Sequence, residues 1–231
     1  MVEIDGKQLR VALIGASCIG KTCIIKRFAE NTFHGSQYVP TPGVEFLSRR
    51  LTIKPIGTVT LIILDVAGAA LTSKMIDIYF HGIDIFLLTY DMTNATSLQE
   101  LRRWMEILAK NGVDKSEASI ALVGSKGDLE HLRTVRLDNH SRFAQEFNIP
   151  LSFLVSAKSG ESVLTCFSKC AIYHLNPEAK QRVKEHAVLQ STNASKKATT
   201  PAQNHPQAMT NPLPTRSQPA PDPNSTVCSV Q

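Results

Sequence analysis

The densest chemistry in the chain lies in one short stretch, Gly15-Ala16-Ser17-Cys18-Ile19-Gly20-Lys21-Thr22. It follows the pattern GxxxxGK[ST] and stands where a phosphate-binding loop must stand, after a short apolar run (residues 9–15) and opening a segment of helical periodicity (Lys21 to Glu30). The glycines let the backbone curl. The N–H groups of Ser17, Cys18, Ile19 and Gly20, and those of Lys21, Thr22 and Cys23 beyond them, can then point at phosphate oxygens, helped by the positive end of the helix dipole. The Lys21 ammonium reaches the β- and γ-phosphates, and the Thr22 hydroxyl is placed to ligate Mg²⁺. The bland alternative is a glycine turn beside an exposed lysine. A phosphate loop by itself leaves ATPases, GTPases and small-molecule kinases open.

Three later segments narrow the choice. Leu61 to Asp65 is a strand ending in Asp65-Val66-Ala67-Gly68, so Asp65 can hold Mg²⁺ through water and the Gly68 amide can sense a γ-phosphate. Next comes Leu122-Val123-Gly124-Ser125-Lys126-Gly127-Asp128. A carboxylate at Asp128 accepts two hydrogen bonds from guanine, at the ring N–H and the amino group, and adenine offers no such pair. Finally Val155-Ser156-Ala157-Lys158 ends a strand where a backbone N–H can reach the guanine oxygen. In open α/β sheets ligands bind at the carboxyl ends of strands, which is where all four segments fall.

These segments need a sheet to carry them. Besides the run at 9–15, strands are predicted at Phe46–Lys54 and Thr58–Asp65, joined by Pro55-Ile56-Gly57 as a hairpin and so antiparallel, and at Ile83–Tyr90, Ile120–Val123 and Pro150–Val155. Helices are predicted at Lys21–Glu30, from about Asn94 or Thr96 with Leu98, Leu101, Trp104, Met105 and Leu108 inward, at Asp138–Phe147, and at Val163–Leu175. Cys166 and Cys170 fall on the inner face of the last of these and read as core packing. Alternation of strands and helices predicts an α/β fold, a mostly parallel six-stranded sheet with one antiparallel strand and helices on both faces.

Composition bounds the rest. The chain has 231 residues with 25 basic and 20 acidic side chains. Residues 1–175 carry net +2. Residues 176–231 carry net +3, hold 8 of the 12 prolines and lack both glycine and aromatics. Such a segment cannot bury enough apolar surface to offset chain entropy and is expected to be a disordered tail. The domain reading is a short N-terminal extension (1–8), one nucleotide-binding domain (9–175) and the tail (176–231). No apolar run is long enough for a membrane-spanning helix, and the start lacks a secretory pattern. Five sparse cysteines without metal-ligand spacing point to no disulfide framework and no zinc site, which fits a reduced cytoplasmic setting. Basic residues without interleaved aromatics argue against nucleic acid.

On the order, spacing and strand-end placement of these motifs, the chain resembles the Ras superfamily of small GTPases over about residues 8–175. Within it the likeness is to the Rab branch, through Arg27-Phe-Ala-Glu-Asn-Thr-Phe33, Tyr38 and Thr41-Pro-Gly-Val-Glu-Phe46. Lys74-Met-Ile-Asp-Ile-Tyr79, Asp128-Leu-Glu-His-Leu-Arg-Thr134 and the terminal Cys228-Ser-Val-Gln231 carry a narrower likeness to one divergent member. The resemblance implies the P-loop small-GTPase fold, GTP/GDP and Mg²⁺ as ligands, and a monomeric switch regulating membrane trafficking through effectors, an exchange factor and an activating protein. It implies that Phe33 stacks on guanine, that Tyr38 lines the nucleotide, and that Thr41 closes onto Mg²⁺ and the γ-phosphate. Lys126 and Lys158 would lie along the base and Ala157 would face its oxygen. Thr22, Thr41 and Asp65 would form the metal set.

The chain departs from the family pattern in three places. Ala69 stands where a glutamine usually orients the attacking water, so slow intrinsic hydrolysis is expected and no catalytic residue is assigned. Ser125 replaces an asparagine that spans from base to phosphate loop. Serine is too short for both contacts, which predicts faster nucleotide exchange. Pro40 and Pro42 flank Thr41, where they either slow switch closure or leave it unaffected. A non-cycling interaction protein is the rival reading, and a phosphate-loop ATPase or nucleoside kinase a weaker one. Cys228-Ser-Val-Gln fits C-a-a-X with a terminal Gln, which favours farnesylation at Cys228. One lipid gives marginal anchoring, so reversible attachment to the cytoplasmic face of the plasma membrane or endosomes is expected, with the cilium base and a prenyl-binding chaperone implied by the resemblance.

Overall fold

The computed structural model describes residues 6–33, 35, 41, 43–54, 56–67, 79–113, 117–176 and 178. Six strands are present: β1 (Lys7–Ile14), β2 (Val44–Ile53), β3 (Gly57–Val66), β4 (Ile85–Asp91), β5 (Ser119–Ser125) and β6 (Leu151–Leu154). They form one sheet in the order β2-β3-β1-β4-β5-β6. β2 runs antiparallel to β3, as the short connection predicts, and every other pairing is parallel. Strands β4 and β5 are buried along their whole length, which explains their apolar runs Ile85–Leu88 and Ile120–Val123.

Among the described residues four α-helices cover the sheet: α1 (Lys21–Glu30), α2 (Ala95–Lys110), α3 (Leu137–Glu146) and α4 (Val163–Leu175). On one face Ile24, Ile25 and Phe28 of α1 and Cys166, Phe167 and Cys170 of α4 pack against Leu9, Val11 and Leu13. The Phe28 and Phe167 rings stack with centroids 3.9 Å apart. On the other face Leu101, Trp104, Met105 and Phe143 pack against Ala12, Ile14, Phe86 and Leu88. The two cysteines of α4 are thus core residues, 1% exposed.

α1 and α4 have the bounds expected from periodicity, and each end of every strand differs from expectation by one or two residues. The end of β1 has a physical cause. Strand geometry stops at Ile14 because Gly15 turns to φ 147°, where a Cβ would lie 2.1 Å from the Thr89 carbonyl oxygen. α2 begins after Asn94, whose side chain accepts the Thr96 N–H as an N-cap. A 3₁₀ helix, Gly127–Leu132, follows β5 and carries Asp128; no periodicity announced it. The predicted tail, apart from Asn176 and Glu178, and the N-terminal residues 1–5 lie outside the described residues.

Candidate functional site

The phosphate end is a backbone construction. Cys18 sits at φ 62° and Gly20 at φ 95°, left-handed turns that curl the loop. Lys21, only 6% exposed, folds back beneath it and donates to the carbonyls of Gly15 (3.0 Å) and Ala16 (2.6 Å). An ammonium has three donors, so one remains for a ligand. Burial lowers the Lys21 pKa to about 8, against the opposing charges of Asp65 and Cys18. A bound polyanion would favour its charged form.

Thr22, at the start of α1, donates to Asp65 Oδ2 at 2.5 Å. The Thr41 hydroxyl lies 3.1 Å from that of Thr22 and 3.4 Å from Asp65 Oδ2. Three residues far apart in sequence therefore converge, and they are the three expected of the metal set. Asp65 is 1% exposed and its Oδ1 has no hydrogen-bond partner. Burial pushes the Asp65 carboxyl up, opposed by the Thr22 hydrogen bond and the Lys21 charge. An orphaned buried carboxylate oxygen beside two hydroxyls fits a hard cation that keeps several waters and leans on a ligand's phosphates. Among the described residues no group of three His, Cys, Asp or Glu could hold a metal. The donors fit Mg²⁺, and a soft thiolate or imidazole site is not formed. Beside them Cys23 is half-buried, and burial, then the Asp65 charge, pushes its thiol up.

The base end is gathered from several elements. The Ser125 hydroxyl, 1% exposed, donates to the Ile19 carbonyl at 2.5 Å, so it ties β5 to the phosphate loop. Lys126 is left-handed (φ 62°), and its ammonium pairs with Asp91 at 2.5 Å. Asp128 is half-buried and accepts from the Ser156 hydroxyl at 2.7 Å. Ser156 also accepts the Ser159 N–H at 3.1 Å, which fixes the turn that presents Ala157 and Lys158. Behind that turn Arg27 donates from Nε to the Ala157 carbonyl (2.7 Å) and from Nη2 to the Lys158 carbonyl (2.9 Å), while Nη1 reaches Asn31. Phe33 is 36% exposed, with its ring against Gly35.

Sequence reasoning brought Ser17 to Cys23, Thr41, Asp65, Ser125, Lys126, Asp128, Ala157 and Lys158 to the same end of the sheet. It missed Ser156 as the partner of Asp128, Asp91 as the partner of Lys126, and Arg27 as a clamp on the Ala157 turn. Tyr38, Gly68, Ala69 and Cys228 lie outside the described residues.

Residues 10–175 match the Ras family. With a six-stranded mixed sheet, a phosphate loop after β1 and the strand-end arrangement described above, the chain belongs to that family of small GTPases, and its relatives place it among the Rab proteins. It is 36% identical over 174 residues to the Ras-related protein Rab-28 of Caenorhabditis elegans, across 74% of this chain and 69% of that one. It is 34% identical over 174 residues to Rab-13 of Rattus norvegicus (74% and 82%) and 29% identical over 181 residues to Rab-26 of Homo sapiens (78% and 67%).

Proposed function

We propose that the chain is a Rab-type molecular switch that binds GTP or GDP with Mg²⁺, hydrolyses GTP slowly on its own and engages effectors in membrane trafficking. The observation that carries this reading is the convergence of Thr22, Thr41 and the orphaned Asp65 carboxylate beside Lys21. Mg²⁺ held there would neutralise charge on the phosphate oxygens. The loop N–H groups and the third Lys21 donor hold the phosphates, and Asp128, aimed by Ser156, reads the guanine edge. Thr41 comes from a separate segment. A γ-phosphate would add to its contacts with Thr22 and Asp65, so the loss of that phosphate would weaken its hold and change the surface offered to a partner. Gly68 would sense the same phosphate through its amide.

Ala69 has no side chain to place the attacking water. Single-turnover hydrolysis should therefore be slow and should rise in an Ala69→Gln variant; equal rates would sink this part of the reading. An activating protein would then supply the missing groups. The purified protein should carry bound GDP or GTP. A second reading, a GTP-binding or nucleotide-poor interaction protein that does not cycle, has one specific observation behind it: the Ser125 hydroxyl already bonds the Ile19 carbonyl and so leaves the base one contact short. Absence of co-purified nucleotide, with no GDP binding, would favour that reading over the first.

Residues 176–231 are read as a tether ending in a farnesylated Cys228, with a prenyl-binding chaperone as a further partner and the cytoplasmic face of membranes as the destination. No helix among the described residues is long and apolar enough to cross a membrane. Cys228→Ser should empty the membrane fraction.

A further inference from the structure

Along β1, β3 and β2 the face that carries Ala12, Leu64 and Phe46 near the phosphate loop changes character toward the opposite end of the sheet. Strand register sets Arg10, Ile62 and Ser48 in one row, Gln8, Thr60 and Arg50 in the next, and Thr58 beside Thr52 beyond them. Lys54 follows in the turn directly after β2. Gln8, Arg10, Ser48, Arg50, Thr52 and Lys54 are all exposed. Among the described residues no carboxylate side chain forms an ion pair with Arg10, Arg50 or Lys54. The face is thus an open stretch of sheet with three cations that have no ion-pair partner among the described residues and a row of hydroxyl and amide groups between them.

Its position matters. The Asp84 carboxylate accepts the Arg10 backbone N–H through Oδ2 (2.7 Å), and its Oδ1 lies 3.6 Å from His174 Nε2. His174 also contacts the Ser119 hydroxyl at 3.1 Å and stands in the last turn of α4, two residues before Asn176. The β1 backbone at Arg10 is therefore one carboxylate away from the point where the C-terminal segment leaves the domain, at the pole opposite the nucleotide site, while the Arg10 side chain lies on the sheet face opposite α4.

The geometry points to this face as a membrane-docking surface for acidic lipid headgroups. An exposed polar sheet face can lie against headgroups, and cations with no ion-pair partner among the described residues are complementary to an anionic surface. The inference rests on the tether reading above, in which one lipid chain holds the protein only marginally and a second signal is needed. Lys196-Lys197 alone would be a weak one. Each cation near an acidic leaflet strengthens binding about fivefold, so Arg10, Arg50 and Lys54 together give on the order of a hundredfold.

The test uses the full chain with a hexahistidine tag after Gln231, held on vesicles by sparse nickel-chelating lipid, so that it does not depend on modification of Cys228. Partition is measured on phosphatidylcholine vesicles with and without about 30 mol% phosphatidylserine. Acidic lipid should raise binding on the order of a hundredfold at about 0.1 M salt, and much less at about 1 M, where the Debye length falls to about 3 Å. Arg10→Gln with Arg50→Gln and Lys54→Gln should abolish most of the gain without lowering thermal stability. A control set on the helices, Arg103→Gln with Lys110→Gln and Lys169→Gln, should keep it. No gain from phosphatidylserine, or an equal loss in the control set, would overturn the assignment. So would capture of an acidic peptide by this face with no preference for acidic vesicles. Failure of farnesylation alone would leave the result standing.

Discussion

The phosphate end of the site is one contiguous loop, residues 15–22, and most of its groups are backbone N–H and carbonyl groups shaped by glycines. The base end is gathered from Arg27, residues 125–128 and residues 156–158, and there side chains hold backbone carbonyls and one another. A backbone-built end tolerates changes among Ser17, Cys18 and Ile19 provided the curl survives. A side-chain-built end loses a bond with each truncation. The position where this chain shortens the family pattern, Ser125, falls at the base end, so nucleotide affinity and exchange should be governed there.

Asp128→Asn should have the largest effect. It removes the acceptor for two guanine donors, each bond to a charged group being worth about 1.5–3 kcal/mol, so GDP affinity should fall roughly 100-fold or more. Affinity for a xanthine nucleotide, which carries a carbonyl where guanine has the amino group, should rise relative to GDP. Equal loss for both bases would mean that Asp128 only supports the fold, and the comparison between the two ends would break.

Arg27→Ala should come next, with GDP release about tenfold faster. Arg27 touches no base; it holds the carbonyls of Ala157 and Lys158 so that the turn aims its N–H groups. The discriminating readout is the preference for GDP over the diphosphate of 2-aminopurine riboside, which lacks the 6-oxygen. That preference should shrink in the variant. A uniform loss for both ligands would reduce Arg27 to a structural brace.

Ser125→Asn sharpens the contrast from the other side. The structure shows which contact serine keeps, the bond to the Ile19 carbonyl, so one bond and not two is missing. Restoring the base contact should slow GDP dissociation roughly three- to tenfold. Ser125→Ala should quicken it by a similar factor, through the lost tie to the loop. If Ser125→Asn leaves dissociation unchanged, the serine is not the weak point of the base end.

What the sequence made legible follows the same division. The phosphate loop announces itself because its residues are neighbours and its glycine spacing has one mechanical meaning. Asp128 and Ala157 were legible as the strand-end positions of two short motifs. Ser156 and Arg27 were not, because a hydroxyl bonded 28 positions away and a guanidinium bonded 130 positions away leave no local pattern. The strands of the centre were legible from unbroken apolar runs. The 3₁₀ helix Gly127–Leu132 was not, since nothing in its six residues is buried to set a period.

The smallest expected effect lies behind the base end. The Tyr90 hydroxyl and His140 Nδ1 are 3.0 Å apart, with Tyr90 0% and His140 7% exposed, and they join β4 to α3. Tyr90 packs under Gly124 and precedes Asp91, the partner of Lys126. Burial, and then the Arg133 charge, lowers the His140 pKa below its ordinary 6.5. Arg133, the charge that acts on His140, itself pairs with Glu130 at 2.5 Å. As pH falls below about 6.5 the unfolded chain takes up a proton at His140 that the folded chain resists, so stability is lost on the acid side and is flat above it. His140→Gln removes that uptake and keeps a polar group for Tyr90. On cooling-reversible melts between about pH 7.5 and 5.5, the wild type should lose more melting temperature than the variant. An equal acid loss in both proteins would mean that His140 takes up its proton as readily in the fold as in the unfolded chain. The Tyr90 hydroxyl would then have to accept from Nδ1, and the pair would act as an acid-stable brace for the base end.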